Sequence, residues 1–200
     1  MRKCAAIFVF VLVCGAFAMA QMEPKLFDIP KTELSFGYAY QHAGLSGSFA
    51  TTNGSVTENS TSLNGIAIEF SRYFHGNFGV TGDFAWDTNG SVDSTGIKYT
   101  RTSYLGGPSY RLHRYGFFSP SVHVLAGVDH GTLTVPTGPA NAISLTYSNT
   151  DFAALAGGTL DGNLTKHLAI RLAQVDYLYT HNYGTSQSSF RYLGGIVVRF

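Results

Sequence analysis

The eleven residues from Phe190 to Phe200 alternate with a period of two. Phe190, Tyr192, Ile196, Val198 and Phe200 fall on one face, and Arg191, Gly195 and Arg199 on the other. That is the period of a β-strand, whose successive side chains point to opposite sides. The apolar row must meet an apolar medium, and the arginines a polar one. Chain ends fray unless something ties them down. A strand that runs to the final residue therefore points to a sheet closed by that strand.

The same alternation recurs upstream. Leu34, Phe36, Tyr38 and Tyr40 oppose Ser35, Gly37, Ala39 and Gln41. Ile66, Ile68 and Phe70 oppose Ala67, Glu69 and Ser71. Phe78, Val80, Phe84 and Trp86 oppose Gly79, Thr81, Asp83 and Asp87. Tyr104, Tyr110 and Leu112 oppose Ser103, Ser109 and Arg111. Phe118, Val122, Val124 and Val128 oppose Ser119, Ser121, His123 and Asp129. Segments near 151–163 and 168–180 bring the strand count to eight with 189–200. In the seventh the phase slips: Leu168, Ile170 and Leu172 give way to Val175, Tyr177 and Tyr179. A β-bulge near Ala173 and Gln174 absorbs such a slip.

Connectors alternate in length. Long polar segments (43–62, 88–98 and 130–150) alternate with tight turns at 74–77, 113–116 and 165–167, and 181–188 is intermediate. All-antiparallel up-and-down connectivity follows. Glycine pairs recur at Gly106-Gly107, Gly157-Gly158 and Gly194-Gly195. No helix or Lys-Ser/Thr follows them, so a phosphate-cradling loop is excluded. They read instead as relief for curvature and crowding in a narrow barrel.

Arg2 and Lys3 precede an apolar run, Ala5 to Phe17, and Ala18-Met19-Ala20 supplies a small-residue cleavage site. Residues 1–20 read as a cleaved export signal. Its removal takes both cysteines, Cys4 and Cys14, and with them any disulfide or thiolate metal site. It also lowers the basic residues from 13 to 11, against 12 acidic ones. Without a basic excess, neither nucleic acid nor anionic lipid is an expected partner. Charged residues are 12% of the chain, about half the usual share in soluble proteins. Aromatics reach 14%.

Alternation alone does not say which face is inside. A lipocalin-like binder turns its apolar face inward. A membrane barrel turns it to lipid. Here the polar face mixes Glu69, Asp83, Asp87, Arg111, Asp129, Asp161, Arg171, Arg191 and Arg199 with Gly, Ala and Ser. Small residues and pairable charges suit a narrow lumen. The apolar face carries Tyr40, Trp86, Tyr110, Phe118, Tyr179 and Phe200 at strand ends, where interfacial girdles lie. The expected fold is all-β: an eight-stranded antiparallel up-and-down transmembrane β-barrel over 32–200, after a signal at 1–20 and a periplasmic lead at 21–31.

The signal, the run Tyr104-Leu105-Gly106-Gly107-Pro108-Ser109-Tyr110-Arg111, the stretch Ala169 to Tyr177 and the closing strand together resemble the outer-membrane protein A-like small barrels. The resemblance covers 32–200 and includes no peptidoglycan-binding domain. It implies a bacterial outer-membrane location. It also implies that the closing strand, with Gly195, Val198 and Phe200, forms the signal read by the barrel assembly machinery. Expected partners are that machinery, outer-membrane lipid and an extracellular ligand on loops 43–62 and 130–150.

The expected lumen network is Glu69, Asp83, Arg111, His123, Asp161, Arg171, Asp176, Arg191 and Arg199. It plugs the barrel and leaves a structural, membrane-integrity or surface-interaction role. The alternatives are a narrow ion or water path, an outer-membrane enzyme, or a lipocalin-like binder. No catalytic, metal or cofactor residues are assigned. His123 and Asp129 share the inner face of one strand, but a strand spaces same-face neighbours about 7 Å apart, beyond hydrogen-bond reach. The other six histidines (His42, His75, His113, His130, His167 and His181) fall in or beside connectors.

Overall fold

The computed structural model describes residues 29–43, 47–51, 54–58, 61–75, 77–92, 97–137, 143–182 and 185–200. The expected signal and residues 21–28 of the lead lie outside the described residues. Ten strands are present: β1 (Thr32–Ala43), β2 (Gly47–Thr51), β3 (Gly54–Glu58), β4 (Thr61–His75), β5 (Phe78–Val92), β6 (Ile97–Arg111), β7 (Phe118–Thr137), β8 (Ile143–Asn163), β9 (Leu168–Asn182) and β10 (Thr185–Arg199). Eight form a closed barrel in the order β1-β10-β9-β8-β7-β6-β5-β4, and β2–β3 form a separate hairpin. Every barrel pairing is antiparallel.

Closure is made by the last residues of the chain. β10 pairs with β1 from Glu33↔Arg199 to Ala43↔Ser189. Phe200 continues the ladder beyond β10, exchanging backbone hydrogen bonds with Thr32 at 3.2 and 3.0 Å. Following the register from Gly37 through β4, β5, β6 and β7 reaches Asp151 on β8. Following it the other way, through Gly195 and Arg171, reaches Asp161 on the same strand. The ten-residue offset between them is the stagger that tilted strands require to close.

Two faces result. Phe36, Tyr38, Ile66, Phe70, Val80, Trp86, Tyr104, Val124, Val128, Tyr177, Tyr192 and Ile196 are all exposed on the outside. Buried inside are Glu69, Asp83, Asp176, Arg171, Arg191 and Arg199. Water would invert that arrangement, and a bilayer favours it, because a closed barrel satisfies its backbone without solvent. Arg72, Phe74 and Phe78 lie toward the end that carries the first and last strand residues, and the hairpins at the other end are longer.

Several connectors expected as loops are strands. Segment 43–62 contains the β2–β3 hairpin and the start of β4. Segment 130–150 is mostly the continuation of β7 and β8, paired from His130↔Thr150 to Thr137↔Ile143. Beyond the apolar belt both faces of a hairpin meet polar surroundings, so contrast between alternate residues fades while backbone pairing continues.

The phase slip in the seventh barrel strand is real. Leu160 pairs with Ala173 and Asp161 with Arg171, which leaves Leu172 as the extra residue. Leu172 and Ala173 are both exposed, while Arg171 and Gln174 are both buried. Pro108 lies within β6 opposite Val80, and the ladder to β7 skips Gly107 and Pro108.

One glycine of each pair faces inward. A Cβ on Gly107 would lie 2.2 Å from the Val124 carbonyl oxygen, and one on Gly157 2.0 Å from Asp176 Oδ1. On Gly195 it would lie 2.0 Å from the Phe36 carbonyl oxygen. Gly195→Val is therefore expected to block closure of β10 on β1, seen as loss of the heat-shifted folded band on an unboiled gel. Val124→Arg, on the outer face, is expected to cost about 2–4 kcal/mol near the bilayer centre. Urea unfolding from lipid vesicles, with Val124→Ala as reference, measures it.

Candidate functional site: the charged lumen

Alternation delivers one inward residue from every second position of eight strands, so the lumen chemistry is assembled from the whole chain. Arg191 on β10 is fully buried and forms a fork to Asp83 on β5, Nη1–Oδ1 and Nη2–Oδ2 both 2.9 Å. Its Nε and Nη2 also donate to Asp176 Oδ2 at 3.0 and 2.9 Å. Asp176 further meets His123 Nε2 at 2.9 Å through Oδ1, and Gln174 Nε2 donates to its Oδ2 at 2.8 Å.

Gln174 leads to the next arginine. Arg171 Nη1 donates to Gln174 Oε1 at 2.8 Å, Glu69 Oε1 at 2.9 Å and Ser35 Oγ at 3.2 Å. Its Nε donates to Asp161 Oδ1 at 3.0 Å. Asp161 is shared with Arg199 Nη2 at 3.4 Å, and Arg199 Nε donates to Glu33 at 2.5 Å. Arg199 also bonds Asn163. Glu33 closes the series on Arg111 at 2.9 Å. Arg111 lies 3.7 Å over the Tyr73 ring and donates to the Pro30 carbonyl at 2.9 Å. A single network thus runs from the mouth at Pro30 to Asp83.

A second group lies toward the long-hairpin end. Arg101 Nε donates to both oxygens of Asp129, at 2.8 and 2.9 Å. The Gln41 amide turns its oxygen to Arg101 Nη1 at 2.6 Å and to Ser189 at 2.7 Å, and its nitrogen to Asp87 Oδ2 at 3.2 Å. The reverse orientation would set donor against donor and acceptor against acceptor. Asp87 Oδ1, Arg101 Nη2 and Ser109 Oγ are buried without a hydrogen bond.

All nine expected lumen residues face inward. Arg111 is the least enclosed, with 15% of its side chain exposed at the mouth. Glu33, Gln41, Asp87, Arg101, Asp129, Asn163 and Gln174 complete the network beyond the nine. Asp87 and Asp129 stood on the predicted polar face. Arg101 has the same phase as Ser103, and the assignment of 88–98 as a loop hid how far β6 extends past it. Gln174 follows from the bulge. Glu33 shares the inward phase of Ser35.

The interior is also less polar than expected. Leu105, Leu125, Ala153, Leu155 and Leu178 pack as one buried cluster, and Ala39, Ala67, Ala85 and Leu193 as another. These residues share the phase of the charged ones, so they fill the space between the arginine systems. His123 and Asp176 form an Asp–His contact at 2.9 Å. They are buried in the lumen, and Asp176 is also held by Arg191 and Gln174. Ser109 stands opposite His123 in the ladder, yet its hydroxyl makes no hydrogen bond. No serine–histidine relay is assembled there.

Gly195 lies against β1 as described, Val198 is half-exposed outward, and Phe200 is 61% exposed at the rim. These are the three residues expected to form the assembly signal.

Arg191→Met would leave Asp83 and Asp176 facing each other without their cation. Such a broken buried pair is expected to cost about 3–5 kcal/mol. Arg191→Met with Asp83→Asn should recover part of that loss. Equilibrium urea unfolding of the refolded barrels in vesicles reads both.

No protein-family model matches the chain, and no curated protein sequence does. Solved structures do resemble it. The crystal structure of Ail, the attachment invasion locus protein of Yersinia pestis, is similar at 20% identity and a TM-score of 0.60, over 86% of this chain and 100% of that one. Ail in complex with the heparin analogue sucrose octasulfate is similar at 22% identity and a TM-score of 0.61, with the same coverage. Neisserial surface protein A is similar at 13% identity and a TM-score of 0.58, over 85% of this chain and 97% of that one. The chain is built on the fold of the small eight-stranded outer-membrane β-barrels.

Proposed function

We propose that this protein is a bacterial outer-membrane barrel with a sealed lumen, whose role is structural or is exercised by its surfaces. The observation that carries this reading is the filling of the interior. Arg101, Arg191 and Arg199 are among its largest fully buried side chains. A conducting path needs charged groups in contact with water, and here the lumen carboxylates and guanidinia contact one another. The reading places residues 1–20 as a cleaved export signal and the short-turn end in the periplasm. It makes the assembly machinery a transient partner through Gly195, Val198 and Phe200.

The polar hairpins at the other end are the surface available to an external ligand. Their chemistry is nearly neutral. Segments 43–62, 88–98, 130–150 and 181–188 contain only Glu58, Asp93 and Lys98 as Asp, Glu, Lys or Arg. A sulfated sugar like the heparin analogue bound by Ail would find few cationic residues there. An uncharged ligand held by Ser, Thr and Asn hydroxyls and amides fits better.

Cell fractionation and planar-bilayer recording test the reading together. The protein is expected in the outer-membrane fraction, with heat-modifiable migration and no conductance step. Reproducible channel openings abolished by Arg111→Gln would replace the plug with a narrow pore. A soluble periplasmic protein would overturn the membrane reading.

A further inference from the structure

Charge is distributed unequally between the two ends of the barrel. At the short-turn end the exposed charged side chains among the described residues are all basic. Lys31 and Arg72 are exposed beside β1 and β4, and Lys166 is exposed in the turn between β8 and β9. Arg114, partly exposed, lies in the turn between β6 and β7. The two side-chain carboxylates described at that end, Glu33 and Asp161, are buried and bound to Arg199, Arg111 and Arg171. They do not neutralise the rim.

Arg72 is the informative residue. It alternates with Phe70 and Phe74, so it sits on the lipid-facing side of β4. Its guanidinium lies 5.9 Å from the Phe74 ring centre. Thr32 is its partner in the β1–β4 ladder, and the Lys31 carbonyl accepts from the next amide, Tyr73 N–H, at 2.8 Å. Lys31 and Arg72 are therefore at the same edge, Arg72 in the phase of the outward Phe70 and Phe74 and Lys31 opposite the inward Tyr73, at the mouth. Phe74 and Phe200, 55% and 61% exposed, mark the same edge. Among the described residues no carboxylate pairs with Lys31, Arg72 or Lys166. A cation on a lipid-facing strand extends its head to the interface, and aromatic rings fix the depth at which that interface lies. What the interface offers such a cation is a lipid phosphate.

We propose that this rim is a binding surface for the phosphates of anionic phospholipids in the periplasmic leaflet, with Arg72 as one locus, Lys166 as another and Lys31 adding positive charge at the mouth. The inference rests on the membrane-barrel reading and adds a lipid preference to it. Charge complementarity favours lipid over the cell wall as occupant, because Arg72 points along the lipid-facing wall and not into the periplasm.

The test is a competition. The barrel is refolded in mixed micelles with equal phosphatidylglycerol and phosphatidylcholine of matched chains, and the co-purifying lipids are counted. Wild type should retain phosphatidylglycerol several-fold over phosphatidylcholine. Each Arg72→Gln or Lys166→Gln change should lower that ratio by about fivefold, and added salt should lower it for all variants. Arg72→Lys should keep the preference, and Lys98→Gln, at the opposite end, should leave it unchanged. Heat-shifted migration checks that each variant is folded, and the two single variants lie on separate strands and turns. A folded wild type that retains both lipids equally overturns the proposal, as does a preference that survives Lys31→Gln/Arg72→Gln/Lys166→Gln. Co-sedimentation with peptidoglycan without any lipid preference would reassign the rim to the cell wall. A wild type that does not insert overturns both the rim and the membrane reading.

Discussion

A bilayer core offers no hydrogen bonds, and this requirement organises the molecule. Each peptide group must find its partner within the protein. The antiparallel ladder does this for seven neighbouring pairs of strands, and the β1–β10 contact does it for the eighth. The Thr32–Phe200 exchange extends that seam beyond the last assigned strand residue. Once the wall is closed, its outer side chains need only be apolar. Packing specificity moves to the lumen.

The lumen is narrow, and its charges are accommodated by geometry. Among the described residues, the carboxylates of the lumen are paired chiefly with arginines: Arg101, Arg111, Arg171, Arg191 and Arg199. The described lysines, Lys31, Lys98 and Lys166, are exposed. A planar guanidinium can bind two carboxylates at once and stays charged when buried. Arg191 does so between Asp83 and Asp176, and Arg171 between Glu69 and Asp161. Desolvating so many charges is offset only if nearly all polar atoms are satisfied. Gly157 contributes by absence, since a side chain there would occupy the place of the Asp176 carboxylate.

With the interior committed to pairing, the two rims and the outer wall are what remains for contact with other molecules. The rims differ in kind. One is built of extended hairpins whose described side chains include Thr132, Thr134, Ser144, Thr146 and Ser148. The other is short, aromatic and cationic.

The chain's own order of residues determines the number, connectivity and sidedness of the barrel strands, though not the β2–β3 hairpin. These depend on a period of two and on apolar contrast, which are local properties. The slip between Leu172 and Gln174 was readable for the same reason, because both flanking phases are regular. The sequence did not mark the strand extensions at 130–150, where both faces are polar and contrast is weak. Nor did it mark the inward leucines, because an apolar residue in the polar phase has no local signature of its role. The pairings were decided by the tertiary structure alone. His123 and Asp176 are 53 residues apart, and Arg191 and Asp83 are 108 apart. Which inward charges meet is set by the stagger of the closed barrel, and closure is a property of all eight strands at once.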